Sequence, residues 1–252
     1  MKAIIETNTL FKRNIKLSFR SLETFIGGLL TPVILMLLFV YVLGGAMDVG
    51  ELSYVDFVLP GVLVQCIAQS ASVVGLVINQ DVRSGMVERL LTLNLSRGAF
   101  LNGHVFAAAF RSVMSSFVVS AVALLIGFHP NATFAKWLLV WLLILCFILA
   151  FTWISALFGL LAKSSEMASL FTLLTTILPY LSSGFAPTEN MPTAIRLFAE
   201  YQPMTPIIQA LRGLLLGLPN PTLKQAFLWS ISLILIFSFL ALLAFNKCVR
   251  WK

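Results

Sequence analysis

The sequence predicts an all-α integral membrane protein: six transmembrane helices, an N-terminal amphipathic helix, and short helices in two of the loops. Three observations carry this expectation. First, 59% of the 252 residues are hydrophobic and only 11% are charged, against about 25% charged in soluble domains. Second, the mean hydropathy is +0.97. Third, the windows 24–47, 57–80, 112–135, 137–162, 167–188 and 225–246 contain no Asp, Glu, Lys or Arg. About 20 apolar residues cross a bilayer, and a charge at its centre costs about 2.5–3.5 kcal/mol, so each window is long and clean enough to span. The chain then reads as one membrane domain over 1–252, with an amphipathic segment at 1–24, a polar loop at 79–102 and a long segment between spans five and six at 186–224.

Basic residues collect on the cytoplasmic side of membrane proteins. With both termini inside, that side receives Lys2, Lys12, Arg13, Lys16, Arg20, Arg83, Arg89, Arg97, Arg111, Lys163, Lys247, Arg250 and Lys252. The outer side receives Lys136, Arg196, Arg212 and Lys224, and its first loop holds the acids Asp48, Glu51 and Asp56. The formal net charge of +7 therefore belongs to the membrane surface and not to nucleic acid. Cys66, Cys146 and Cys248 show no pairing or metal spacing, and His104 and His129 stand in no metal motif. The first apolar run begins near Phe25, after a charged segment, so no cleavable signal peptide is expected.

Taken in order, the first element is residues 10–23, "LFKRNIKLSFRSLE". Phe11, Ile15, Phe19 and Leu22 share one face at helical spacing, and Lys12, Arg13, Lys16 and Arg20 cluster on another, as in a helix lying on the inner membrane surface. A plain positive-inside anchor explains the same pattern. Pro32 falls inside the first window and should kink or break it; Pro60 suits the first turn of the second helix.

Residues 80–100, "QDVRSGMVERLLTLNLSRGAF", form the most polar long stretch. Ser84 is placed to cap a helix starting near Gly85, in which Val87, Leu90 and Leu91 make an apolar stripe and Glu88 and Arg89 point elsewhere. Such a stripe fits a partner's groove, or the protein's own base or lipid. The third span is expected to start near Gly103, with Arg111 in its cytosolic third, snorkelling toward headgroups or serving a function there. Pro179 should interrupt the fifth window.

In the segment 186–224, Pro192 opens a short helix that ends before Gln202–Pro203. Thr205–Pro206 reads as a cap and a first-turn proline. Ile207, Ile208, Leu211, Leu214 and Leu215 then repeat at helical spacing until Gly217 and Pro219 stop the helix. At about 1.5 Å per residue it reaches about half a bilayer, so it dips into the outer leaflet or lies on it. Arg212 needs water or an acid there, Glu189 or Glu200.

The sequence lacks a G-x-x-x-x-G-K-[ST] loop, a G-x-S-x-G elbow and H-E-x-x-H. The windows hold no central acid or lysine of the kind ion-coupled carriers keep. What remains is a membrane bundle with an organised cytosolic helix and no energy source of its own, so a separate subunit is expected to push on that helix. Two other classes stay open: a channel or secondary carrier needing no partner, and a membrane scaffold that binds partners without flux.

Two blocks carry a family resemblance. "DVRSGMVERLLTLNLSRGAFLNGHVFAAA" and "LPYLSSGFAPTENMPTAIRLFAEYQPMTPIIQALRGLLLG" resemble the type-2 ABC exporter permeases, in which a hydrophobic–Glu–Arg–Leu–Leu run follows the second span and a P-x-x-x-M-P turn follows the fifth. The F-x-P-T-E-x-M-P form is similar to the daunorubicin-resistance branch. Gly85–Met86 stands where the family often has Gly-Thr, and Gln202–Pro203 where it often has Asn-Pro.

The resemblance implies a homodimeric permease in a bacterial cytoplasmic membrane, bound to two ATPase subunits that hold the ATP and Mg, with no cofactor or metal on this chain. The exported molecule would be hydrophobic or amphipathic: a drug, a lipid or a glycan carrier. The resemblance also implies that 10–23 is a connecting helix (Phe11, Lys12, Arg13, Ile15, Lys16, Phe19, Arg20). It makes 84–93 a coupling helix that meets the ATPase through Glu88 and Arg89 and is seated by Val87, Leu90 and Leu91, with Asp81, Arg83 and Gly85 at its base. Pro187, Met191, Pro192, Pro203, Thr205 and Arg212 would form an outer gate, with a pathway between protomers lined by spans one, two and five.

Overall fold

The computed structural model describes residues 2–20, 22–46, 49–50, 52–92 and 96–250. Among them are ten α-helices and no strand: α1 (Lys2–Arg20), α2 (Leu22–Leu38), α3 (Tyr54–Arg83), α4 (Met86–Thr92), α5 (Arg97–Leu125), α6 (Phe134–Leu161), α7 (Ser165–Ile177), α8 (Thr193–Tyr201), α9 (Met204–Leu216) and α10 (Leu223–Arg250). Asp48, Glu51 and Leu93 lie outside the described residues, as do the side chains of Leu22, Leu91 and Arg97.

Among the described residues five helices are long and apolar enough to cross a membrane: Ile26–Leu43, Tyr54–Arg83, Gly98–Leu125, Phe134–Leu161 and Leu223–Cys248. The chain is therefore a multi-pass membrane protein. The fifth window of the sequence is not one long helix. Ser164 caps α7 by accepting from Met167 N (3.2 Å); the helix ends at Ile177, and a 3₁₀ turn, Leu178–Leu181, carries Pro179.

Helix α3 is the axis of the bundle. The share of each span buried inside the chain is 72% for Tyr54–Arg83 but 11% for Ile26–Leu43 and 17% for Leu223–Cys248. The peripheral helices turn Leu30, Ile34, Leu228, Leu235 and Phe239 outward, surfaces that lipid tolerates and water does not. Around α3 lie two apolar clusters. The larger contains Val58, Leu63 and Ile67 of α3, Ile144 and Phe147 of α6, and Ile207, Ile208 and Leu211 of α9. The smaller sits at the α1/α4 end, with Leu10, Ile78, Val87, Leu101, Val105 and Phe245.

The seam between α3 and α6 is tight. Ser155 Oγ accepts from Gly75 N and donates to Ser72 O, both at 2.9 Å. A Cβ on Gly159 would fall 2.2 Å from Gly75 O, so only glycine lets these backbones approach, as small residues do between membrane helices. Asn79 Nδ2 closes the seam on Gly159 O (3.0 Å) and Ala162 O (2.7 Å).

Several local expectations are corrected. Pro60 is not in the first turn of its helix: Ser53 accepts from Asp56 N (3.2 Å), starts α3 at Tyr54, and leaves Pro60 inside an unbroken helix. Helix α2 continues through Pro32 and loosens into a π-turn only at Phe39–Leu43. Helix α5 begins at Arg97, one to two turns before Gly103, which moves Arg111 to mid-helix. Its guanidinium donates to Ser18 Oγ of α1 (2.9 Å).

Candidate functional site

At one end of the bundle the polar stretch folds as a hinge and a short helix. Gly85 adopts φ +72°, a left-handed conformation that costs other residues energy, and it turns the chain from α3 into α4. Ser84 does not cap α4. It is the C-cap of α3, its N–H bonded to Gln80 O and its Oγ donating to Asp81 O (3.1 Å), because α3 runs on to Arg83. Helix α4 therefore starts at Met86.

On α4, Val87 is buried in the smaller apolar cluster and Leu90 packs against it, while Glu88 and Arg89 are exposed. The stripe is seated on the protein's own helices, and the charged face is presented outward.

Helix α1 lies along the first half of α5 and also touches α4. Leu10 and Asn14 form the face it buries against the bundle. Phe11 and Ile15 are half-buried and Phe19 is exposed. Gly103 sets that face: a Cβ there would meet Leu10 Cβ at 2.7 Å, so the closest approach to α5 is centred on Leu10. Phe11 meets Phe110 edge-on at 6.4 Å. Lys12, Lys16 and Arg20 stay exposed.

Arg13 is turned inward. Its Nη2 donates to Met86 Sδ (2.9 Å), and its Nη1 lies 4.0 Å from Asp81 Oδ2. The same Asp81 oxygen is 3.2 Å from His104 Nε2. Glu6 Oε2 accepts from Ser96 N (2.8 Å) where α5 begins. Arg83 donates to Lys163 O in the α6–α7 loop. The residues expected to act as two separate helices are thus brought into one assembly, in which α1 is bonded to α4, to the end of α3 and to the start of α5. Met86, His104, Glu6 and Ser96 were not expected; their spacings of tens of residues leave no periodic signal.

At the opposite end, Pro187 precedes the 3₁₀ turn Thr188–Asn190, Met191 follows it, and Pro192 precedes α8. Helix α9 starts at Met204, with Pro203 before it, so Thr205 is not its cap. Thr205 Oγ1 instead donates to Ala199 O (2.5 Å) and accepts from Ser183 N (3.3 Å). The expected stripe Ile207, Ile208, Leu211, Leu214 and Leu215 is buried, and Gly217 ends the helix at φ +73°.

Among the described residues Arg212 pairs with no acid. Its Nη2 donates to Phe57 O and Ser183 O, each at 2.9 Å, and its guanidinium lies 3.9 Å above the Phe57 ring. Glu200 is taken by Arg196 at 2.7 Å. Phe39, Tyr180 and Phe185 stack nearby with centroids 4.7–6.1 Å apart, and Tyr54 donates to Phe185 O (3.1 Å). Among the described residues no group of three or more His, Cys, Asp or Glu is placed to hold a metal ion.

Together these residues make a charged helix that follows a glycine turn and is bonded to a membrane bundle. Residues 5–216 match the ABC-2 type transporter family. The chain belongs to that family. It is similar to the daunorubicin resistance ABC transporter permease protein DrrB1 of Streptomyces coeruleorubidus, with 29% identity over 83% of this chain and 72% of that protein. It is also similar to the probable doxorubicin resistance ABC transporter permease protein DrrC of Mycobacterium tuberculosis, with 23% identity over 86% of this chain and 78% of that protein. As an ABC-2 type transporter chain it is the transmembrane permease subunit, and the matched residues reach from α1 to the end of α9, so they include both ends described above.

Proposed function

We propose that this permease exports a hydrophobic or amphipathic drug-like molecule, in a complex of two copies of the chain and two ABC ATPase subunits that supply ATP and Mg. Both termini face the cytoplasm of a bacterial cell, and the chain crosses the membrane six times, the fifth crossing made by the broken α7 and its 3₁₀ turn. Two relatives that carry drug-resistance names support the substrate class.

The observation that carries the reading is the construction of α4: Val87 buried, Glu88 and Arg89 exposed, and Met86 tied to Arg13. An ATPase that closes on ATP pulls on Glu88 and Arg89. The seated stripe transmits that displacement to α3, and Arg13 carries it to α1 and α5. At the far end, the Arg212–Phe57–Ser183 contacts and the aromatic stack act as the gate that must part.

The test is reconstitution of the permease with its ATPase in vesicles. Glu88→Lys with Arg89→Glu is expected to lower transport at least tenfold and to remove permease-stimulated ATP hydrolysis while the chain remains folded. Transport at the wild-type rate would reject α4 as the handle. Flux by the chain alone down a gradient would reject ATP-driven export.

A further inference from the structure

A cavity of about 440 Å³ lies at the elbow between α1 and α2, walled by α3 and α5. Its volume is in the range of small-molecule sites, about 300–1,000 Å³. Arg111 and His104 are the ionisable groups among its described lining residues, and His104 Nε2 is held 3.2 Å from Asp81 Oδ2. Arg111 uses one of the five donors of a guanidinium on Ser18 Oγ (2.9 Å). Asn14, 8% exposed and on the cavity wall, has its Nδ2 buried without a hydrogen-bond partner. The Arg111 guanidinium and the unpartnered Asn14 amide give the cavity a charged and a neutral donor, which favours an anion.

The position in the bilayer narrows the ligand. The exposed Lys12, Lys16 and Arg20 end just before the elbow, and the first span begins at Ile26. Arg111 is bonded to the last turn of α1, and one turn further on Ser115 Oγ donates to Gly28 O (3.4 Å), already within that span. The cavity therefore lies where the amphipathic α1 gives way to the first span. Its apolar side is open: a Cβ added to Gly27 or Gly28 meets nothing within 4 Å, and Val73 and Val77 continue that wall.

We propose that this cavity binds the anionic phosphate head of a lipid from the leaflet on the α1 side, with Arg111 on the phosphate, Asn14 and Gln69 donating beside it, and the first acyl carbons passing along Gly27 and Gly28. The site is independent of the export reading and shares no residue with the α4 handle. Because α1 closes one wall, the lipid bridges α1 to α3 and α5, and stabilises the elbow when bound.

The experiment is thermal unfolding and native mass spectrometry of the purified full chain in neutral detergent. The added probes are phosphatidylglycerol, phosphatidylcholine or inorganic phosphate. Phosphatidylglycerol is expected to raise the melting temperature and to remain bound, and phosphatidylcholine to do neither, since its choline cation would be brought beside Arg111. Arg111→Gln should weaken phosphatidylglycerol binding about tenfold, and Arg111→Lys should recover part of it. Gly28→Leu fills the cavity where the fold leaves room and should abolish the effect, which keeps the test open if Arg111→Gln fails to fold. Glu88→Lys with Arg89→Glu should bind lipid as wild type does. Equal retention of the two lipids, unchanged binding in Gly28→Leu, or inorganic phosphate matching phosphatidylglycerol would each overturn the lipid assignment.

Discussion

Arg13 Nη2 donates to the Met86 sulfur across 2.9 Å, joining α1 to the first residue of α4. A thioether is a weak acceptor, so the link adds little to stability. Its value lies in direction: with Asp81 4.0 Å from the other guanidinium nitrogen, Arg13 spans both sides of the Gly85 hinge.

Arg13→Gln should therefore leave the fold intact, with a stability change below about 1 kcal/mol, yet lower ATP-driven transport several-fold. Arg13→Lys should not restore it, because a point charge cannot reach Met86 and Asp81 in the same geometry. Parallel melting curves and vesicle uptake assays check the separation.

The hinge itself gives a second expectation. Gly85 stands at φ +72° with only the Glu88 carboxylate near a built Cβ, at 3.8 Å, so space is not the constraint and backbone conformation is. Gly85→Ala should cost about 1–2 kcal/mol locally, seen as faster hydrogen exchange across Met86–Thr92 with little change in α6.

The α3/α6 seam should rank two variants. Gly159→Ala places a methyl 2.2 Å from Gly75 O, and overpacking of this kind costs about 1–3 kcal/mol. Ser155→Ala loses the bonds to Gly75 N and Ser72 O, and side-chain hydrogen bonds between membrane helices average about 0.6 kcal/mol each. Denaturation in detergent should find Gly159→Ala the more damaging; the reverse order would place the strength of the seam in its hydrogen bonds.

Arg212→Gln removes a cation that donates to two backbone carbonyls and stacks on Phe57. Its loss should cost about 2–3 kcal/mol and loosen the end where α9 meets α3. The readout is faster labelling of a cysteine placed at Ser183. Glu200→Gln should leave that labelling unchanged, since Glu200 pairs with Arg196 and not with Arg212.

The sequence by itself determined the solvent, and with it most of the architecture. Long charge-free windows admit only helices in lipid, because every backbone N–H and C=O must be satisfied within the segment. The short helices were legible too: the stripe on α9 and its stop at Gly217, and the Val87/Leu90 face of α4, all read as 3.6-residue periodicity. Tertiary structure decided what those helices touch. Ser84 looked like a cap until α3 ran past it, and Arg212 looked as if it needed an acid until it met two carbonyls of other segments. The face that α1 turns to α5 is centred on Leu10 because Gly103 admits it there. The Arg13–Met86 and Asp81–His104 contacts join residues 73 and 23 positions apart, and no periodic pattern encodes them. Periodicity reports which face a helix buries; the partner of a buried polar group is set by where other segments pass, and that is fixed only when the helices pack.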